Sequence, residues 1–165
     1  MSESIKNCKI DTEKSVYAQK AKQLFLDGCN CAQAVFLAFS DLYDLDEKTA
    51  LRLSSSFGGG IGRLREVCGC VSGMCMVAGL LYGYDDLQNP DAKSEHYKCI
   101  QEIAEKFKLA NGSIICRELL GLGEKQESHI PEKRTAEYYQ KRPCSELTAV
   151  SAAILEEYIS QHPYK

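Results

Sequence analysis

Apolar residues along this chain recur every three or four positions almost from end to end, and strand-like alternation is hard to find. That period dictates helices, each with one face buried against its neighbours. Val16, Tyr17, Ala21, Leu24 and Phe25 make one such stripe, which Gly28 closes. Asn30, with Gln33 three residues on, reads as the N-cap and capping-box partner of a second helix running through AQAVFLAF to about Tyr43. Asp46 caps a third, with Leu45 and Ala50 at staple positions. A fourth is predicted from about Cys68 to Tyr82. Asn89-Pro90 opens a long helix with Ile100, Ile103, Ala104 and Phe107 on one face, closed by Asn111-Gly112. A short helix at Ile114 to Leu120 follows, and then a polar stretch, 121–142, with one helical turn near Thr135 to Gln140. Pro143 halts the chain before a last helix, about Ser145 to Ser160. The expected fold is all-α: a single-domain bundle of six or seven helices. A chain of 165 residues is about one domain. It buries roughly 70% of its unfolded surface, so it needs neither disulfide nor metal merely to own a core.

Cysteine departs from the globular norm, with nine in the chain. The N-terminal MSESIKNCKIDTEK lacks an apolar core with a cleavage site, so a cytoplasmic protein is expected. The longest apolar run, Met74 to Leu81, is far short of the roughly 20 residues of a membrane span, so no membrane insertion is expected. In a reducing compartment, nine cysteines point to reactive, metal-binding or core thiols before structural disulfides. No Cys-x-x-Cys occurs, which removes the thioredoxin-type motif, paired zinc knuckles and c-type haem attachment. His96, His129 and His162 are scattered among polar residues and read as surface groups. Twenty Lys and Arg against 23 Asp and Glu leave a net charge of -3, which argues against nucleic acid as a partner.

The positions of the cysteines are more telling than their number. Cys31 falls in the first turn after the Asn30 cap, Cys68 begins the fourth helix, Cys116 follows a Ser113 cap, and Cys144 precedes the last helix. Unpaired N–H groups at a helix start favour a thiolate, lowering its pKa from about 8.5 by a unit or more. Thiolate is both the nucleophile and the metal ligand. Cys29 and Cys70 form Cys-x-Cys pairs with Cys31 and Cys68. On a helix Cys70 points about 200° from Cys68, whereas Cys75 returns to the face of Cys68 about 10 Å along. Cys8 and Cys99 look incidental.

FGGGIGR, Phe57 to Arg63, has too many glycines to hold a helix. It lacks the Lys-Ser/Thr of a P-loop and follows a helix, so it is not read as a phosphate cradle. It lets the chain double back, and Arg63 and Arg65 add positive potential near Cys68. Gly69, Gly73 and Gly79 leave the fourth helix bare enough for close approach by a helix or a bound group. Arg63 and Gly69 are therefore the candidates for touching a cofactor, and the bare face is a candidate homodimer contact.

GCNCAQAV (Gly28 to Val35), FGGGIGR, CGCVSG (Cys68 to Gly73), CREL (Cys116 to Leu119) and RPCSEL (Arg142 to Leu147) occur in that order. Together they resemble the redox-active protein family named for its C_GCAxxG_C_C pattern, over about residues 22–147. The resemblance implies a small helical redox protein, often associated with transporter genes, with an iron–sulfur centre in related domains. By motif its four cysteines are Cys31, Cys68, Cys116 and Cys144. Cys70 stands where the family has alanine, and Cys29 and Cys75 are additions.

Two mechanisms suit this arrangement. In one, Cys68 is a thiolate that attacks a disulfide, and Cys31 or Cys116 resolves it. In the other, thiolates drawn from Cys29, Cys31, Cys68, Cys70, Cys75, Cys116 and Cys144 hold an iron–sulfur cluster. Converging thiolates repel in a low dielectric, which favours a bound metal or a resting disulfide. The redox partner is an electron donor or acceptor the sequence does not name. The alternative of a different class is a zinc-binding or sensing module serving a transporter.

Overall fold

The structure, a computed structural model, describes residues 10–123 and 127–164. Cys8 lies outside them. The fold is all-α. Its elements are α1 (Val16–Leu26), α2 (Cys31–Ala38), α3 (Glu47–Ser54), α4 (Gly69–Tyr82), α5 (Pro90–Asn111), α6 (Cys116–Leu119), α7 (Ala136–Lys141) and α8 (Cys144–Gln161). Six of these have eight or more residues, and α6 and α7 are single turns. No described helix is long and apolar enough to cross a membrane.

α2 is the hub. Seven of its eight residues are buried, because CAQAVFLA is apolar nearly all round. It packs against α1, α3, α4 and α8, and α5 covers α4 and α8 from outside. Phe36, Phe39, Phe107, Met74, Ile103, Ile154 and Leu155 fill the centre. Burying one such side chain contributes about 1.5–3 kcal/mol. The crossing of α2 and α4 depends on small residues. A Cβ on Gly73 would stand 2.8 Å from Val35 Cβ and 3.0 Å from the Ala32 carbonyl. The face of α4 at Gly69 and Gly73 is thus taken up by α2 of the same chain, whereas a Cβ at Gly79 would meet nothing within 4 Å.

Capping decides where α2 begins. Asn30 Oδ1 accepts from the Gln33 N–H at 2.9 Å, and Gln33 Oε1 accepts from the Asn30 N–H at 3.0 Å. Asp46, Asn89 and Thr135 cap α3, α5 and α7 through their side chains. α2 stops at Ala38, short of the expected Tyr43, and a 3-10 turn at Ser40–Leu42 finishes it.

Between α3 and α4 the backbone does something the sequence reading did not foresee. Gly59, Gly60, Ile61, Gly62 and Arg63 all take positive φ between 57° and 70°. The chain then runs antiparallel to the start of α6. Cys68 N–H donates to the Ile114 carbonyl at 2.8 Å, and Cys116 N–H donates to the Glu66 carbonyl at 2.7 Å. The Val67–Ile115 bridge between them sets two distant cysteines side by side. The segment 127–143 lies over this region. Arg134 pins it, donating to the Phe25 carbonyl at 2.5 Å and the Cys29 carbonyl at 2.8 Å, with its guanidinium 4.3 Å from the Phe25 ring centre.

Candidate functional site

Four helix starts meet at one cavity. Cys31 is the first residue of α2, Cys68 the N-cap of α4, Cys116 the first residue of α6 and Cys144 the first of α8. All four line a cavity of about 290 Å³, and Cys70 joins them. Cys31, Cys68, Cys70 and Cys116 are at most 9% exposed, so the cavity is their route to solvent.

The structure does not bring the other expected auxiliaries there. Cys29 and Cys75 are absent from the cavity wall. Cys29 sits in the turn before α2, where its carbonyl serves Arg134. Cys75 lies toward Cys99, and burial with the charge of that neighbour pushes its thiol up to about 11. The helical-wheel reading failed at Cys68 for a local reason. As N-cap it has φ -56° and ψ 133°, off the helix, so Cys70 is not turned away from it. Cys70 contacts both Cys68 and Cys31.

The sulfur of Cys31 is the one whose surroundings favour the thiolate. It accepts from the Cys70 thiol, and although burial opposes ionisation, the backbone N–H groups of Gly59 and Ala32 add to the Cys70 bond. Together they bring its pKa down to about 6. The glycine loop is therefore a cradle for a thiolate and not for a phosphate: its left-handed turn aims the Gly59 N–H at Cys31. Gly69 makes room, since a Cβ there would strike the Cys31 sulfur. Cys70, the donor, has its own pKa raised well above the ordinary value by the Cys31 and Cys68 hydrogen bonds.

A helix start does not by itself make a thiolate. Burial pushes the Cys116 thiol up despite Arg65 Nη1 at 3.8 Å. Burial and the charges of Cys31, Cys68 and Cys116 push Cys144 up to about 12. α6 is only four residues long, and at the start of α8 burial and the neighbouring thiols outweigh the helix N-terminus.

The arginines are placed differently from the expectation too. Arg65 is buried and faces Cys116 rather than Cys68. Its Nε and Nη2 donate to Glu127 Oε2 at 2.7 and 2.5 Å. Arg63 donates to the same oxygen at 3.0 Å and to the Ser128 carbonyl at 2.8 Å, so it clasps the cover. Gly69 packs on Cys31 and leaves no gap for a separate group. Arg134, Arg142 and His129, which line the cavity, come from the segment that sequence periodicity left unread.

Five soft thiol donors suit iron or zinc chemically. Among the described residues no three Cys, His, Asp or Glu side chains are already gathered into a metal-holding group.

A buried set of cysteines on a small helical frame is the pattern of a redox-active protein, and comparison with known families agrees. The chain belongs to the family described as "Putative redox-active protein (C_GCAxxG_C_C)", whose model matches residues 29–158. No curated protein and no solved structure matches the chain.

Proposed function

We propose that this protein carries out two-electron thiol–disulfide exchange, with Cys31 as the attacking thiolate and Cys70 as the resolving thiol. One observation carries this reading: Cys31 and Cys70 stand together on the wall of a cavity, and their mutual contact favours the thiolate at Cys31 and the thiol at Cys70. Thiolate is the species that attacks, and a neighbouring thiol is what releases the resulting mixed disulfide. The Cys31 sulfur bonds to one sulfur of a substrate disulfide, and the other leaves with the electron pair as thiolate. Cys70, giving up its proton, then bonds to Cys31 and expels the second half. The protein loses two electrons, and the substrate leaves as two thiols. Cys68 touches Cys70 and is the thiol next in reach. This reassigns the attack from Cys68 to Cys31, because the Gly59 and Ala32 N–H groups converge on Cys31.

The test is mass mapping of protein purified without oxygen and then oxidised with limiting diamide. A Cys31–Cys70 bond is expected in the wild type. Cys70→Ala, treated with hydroxyethyl disulfide in place of diamide, is expected to stop at a mixed disulfide between Cys31 and mercaptoethanol. Stoichiometric iron or zinc that disappears in Cys31→Ser, with no Cys31 disulfide, would replace this reading with a metal centre.

A further inference from the structure

We propose that the disulfide this site reduces is a small molecule bearing carboxylates, drawn into the cavity beside Arg134 and Arg142, and not a disulfide presented by another protein. The inference rests on the thiol–disulfide reading and adds the substrate class. Two independent observations carry it, one of access and one of charge.

Access comes first. The Cys31 sulfur is reached through a cavity of about 290 Å³ roofed by 127–143. A protein disulfide brings two stretches of backbone with it and needs an exposed sulfur to meet. Here Cys31 is 9% exposed and Cys70 0%. A space of this volume is at the small end of ligand pockets and suits a compact disulfide.

Charge comes second. Arg63 and Arg65 share the single carboxylate of Glu127. Arg142 donates to Glu132 at 2.7 Å, and that carboxylate side chain is half exposed. Arg134 has no carboxylate partner among the described residues and donates only to carbonyls. Four guanidiniums thus meet two carboxylates, and the balance stays positive after the Cys31 thiolate is counted. A guanidinium fork matches a carboxylate in a way that no other group on this wall does. An ammonium-bearing disulfide would meet repulsion on the same path.

Single-turnover oxidation of the reduced protein by four probes tests this. Dithiodipropionate carries two carboxylates, cystamine two ammoniums and hydroxyethyl disulfide no charge; insulin supplies protein-borne disulfides. Each rate is divided by that of 2-mercaptoethanol, a thiol with no second charge, with the same probe, which removes intrinsic reactivity. Dithiodipropionate is expected to exceed cystamine by about tenfold at low salt. The gap should shrink as salt rises, and insulin should be slowest. Arg134→Gln should narrow the gap and Arg134→Lys keep only the part that charge alone supplies; a ratio within one variant is insensitive to a loosened cover. The salt series on the wild type stands even if Arg134→Gln fails to fold. Cystamine at equal or greater rate, or insulin in front, would overturn the substrate class and leave Cys31 chemistry intact. No Cys31–Cys70 disulfide in the wild type with any probe would overturn both.

Discussion

The sulfur of Cys31 fills the place that a Cβ on Gly69 would occupy. The glycine of the CGC motif is thus the complement of a cysteine 38 positions earlier in the chain. A Cβ there would also stand 2.9 Å from the Phe57 carbonyl oxygen and 3.1 Å from the Ala32 nitrogen, so little can give way. Gly69→Ala is expected to cost about 1–3 kcal/mol in urea melts. It should also move the midpoint of Cys31 alkylation upward, because the sulfur leaves its N–H donors. Gly73→Ala, also on α4, crowds Val35 of α2 and should lose stability without moving that midpoint. If the Gly69→Ala alkylation profile matches the wild type, the sulfur is not held where the structure puts it.

The thiols give stability a pH dependence with two limbs. The Cys31 pKa is held near 6, below its ordinary thiol value of 9.0. Between those values the unfolded chain binds more protons, so stability rises with pH across that window and this contribution is lost as pH falls through about 6. Cys144, raised to about 12, has the opposite sign: above pH 9 the folded state holds the extra proton, and stability falls. The expected curve rises from about pH 6 to 9 and then declines. Denaturant titrations of reduced wild type and Cys31→Ser check it. The rising limb should flatten in the variant, and an unchanged limb would show that another group causes it.

Arg65 and Glu127 form the pair that closes the cavity floor to its roof. The Arg65 side chain is 9% exposed and that of Glu127 is 21%. Arg65→Met leaves Glu127 with Arg63 alone and is expected to cost about 1–3 kcal/mol. Glu127→Gln should cost less, because the glutamine oxygen can still accept from both arginines. A double-mutant cycle should return coupling of at least about 1 kcal/mol. Additive costs would mean that the two side chains do not pair in solution.

Much of this frame was legible in the sequence because short-range chemistry fixed it. The Asn30–Gln33 capping box dictates where α2 starts, and so places Cys31 at its first turn without tertiary information. Asn89-Pro90 and Gly112 bound α5 in the same way. The thiol set around the cavity followed from cysteines at helix starts. Side-chain partners set by long-range packing were not legible. Which arginine meets which sulfur depends on the Val67–Ile115 bridge, and Arg134 acts through carbonyls 105 and 109 residues away. The ionisation states were misjudged for a related reason: the dipole argument sees a helix start but not the burial that outweighs it at Cys116 and Cys144. Composition marked 121–142 as polar, and a polar cover over a charged cavity has no periodic signal.

The left-handed run beside Cys31 supplies the last prediction. Ile61 sits at φ 64°, a conformation that a β-branched side chain resists at a cost of about 1–2 kcal/mol. Its side chain is 41% exposed, so little burial offsets the strain. Replacing it by glycine loosens the unfolded chain at a cost of about 0.5–1 kcal/mol, less than the strain relieved. Ile61→Gly is therefore expected to raise stability by about 0.5–1 kcal/mol in urea melts. Leu64→Gly is the control, because Leu64 is exposed but does not take positive φ, and it should gain nothing. Arg63 and Arg65 share the left-handed conformation, at φ 70° and 61°, yet glycine there should destabilise, since both side chains hold Glu127. Strain is thus retained where a side chain is used and removable where it is not. A loss of stability in Ile61→Gly equal to that in Leu64→Gly would refute the strained turn, and with it the account of how Gly59 is aimed at the thiolate.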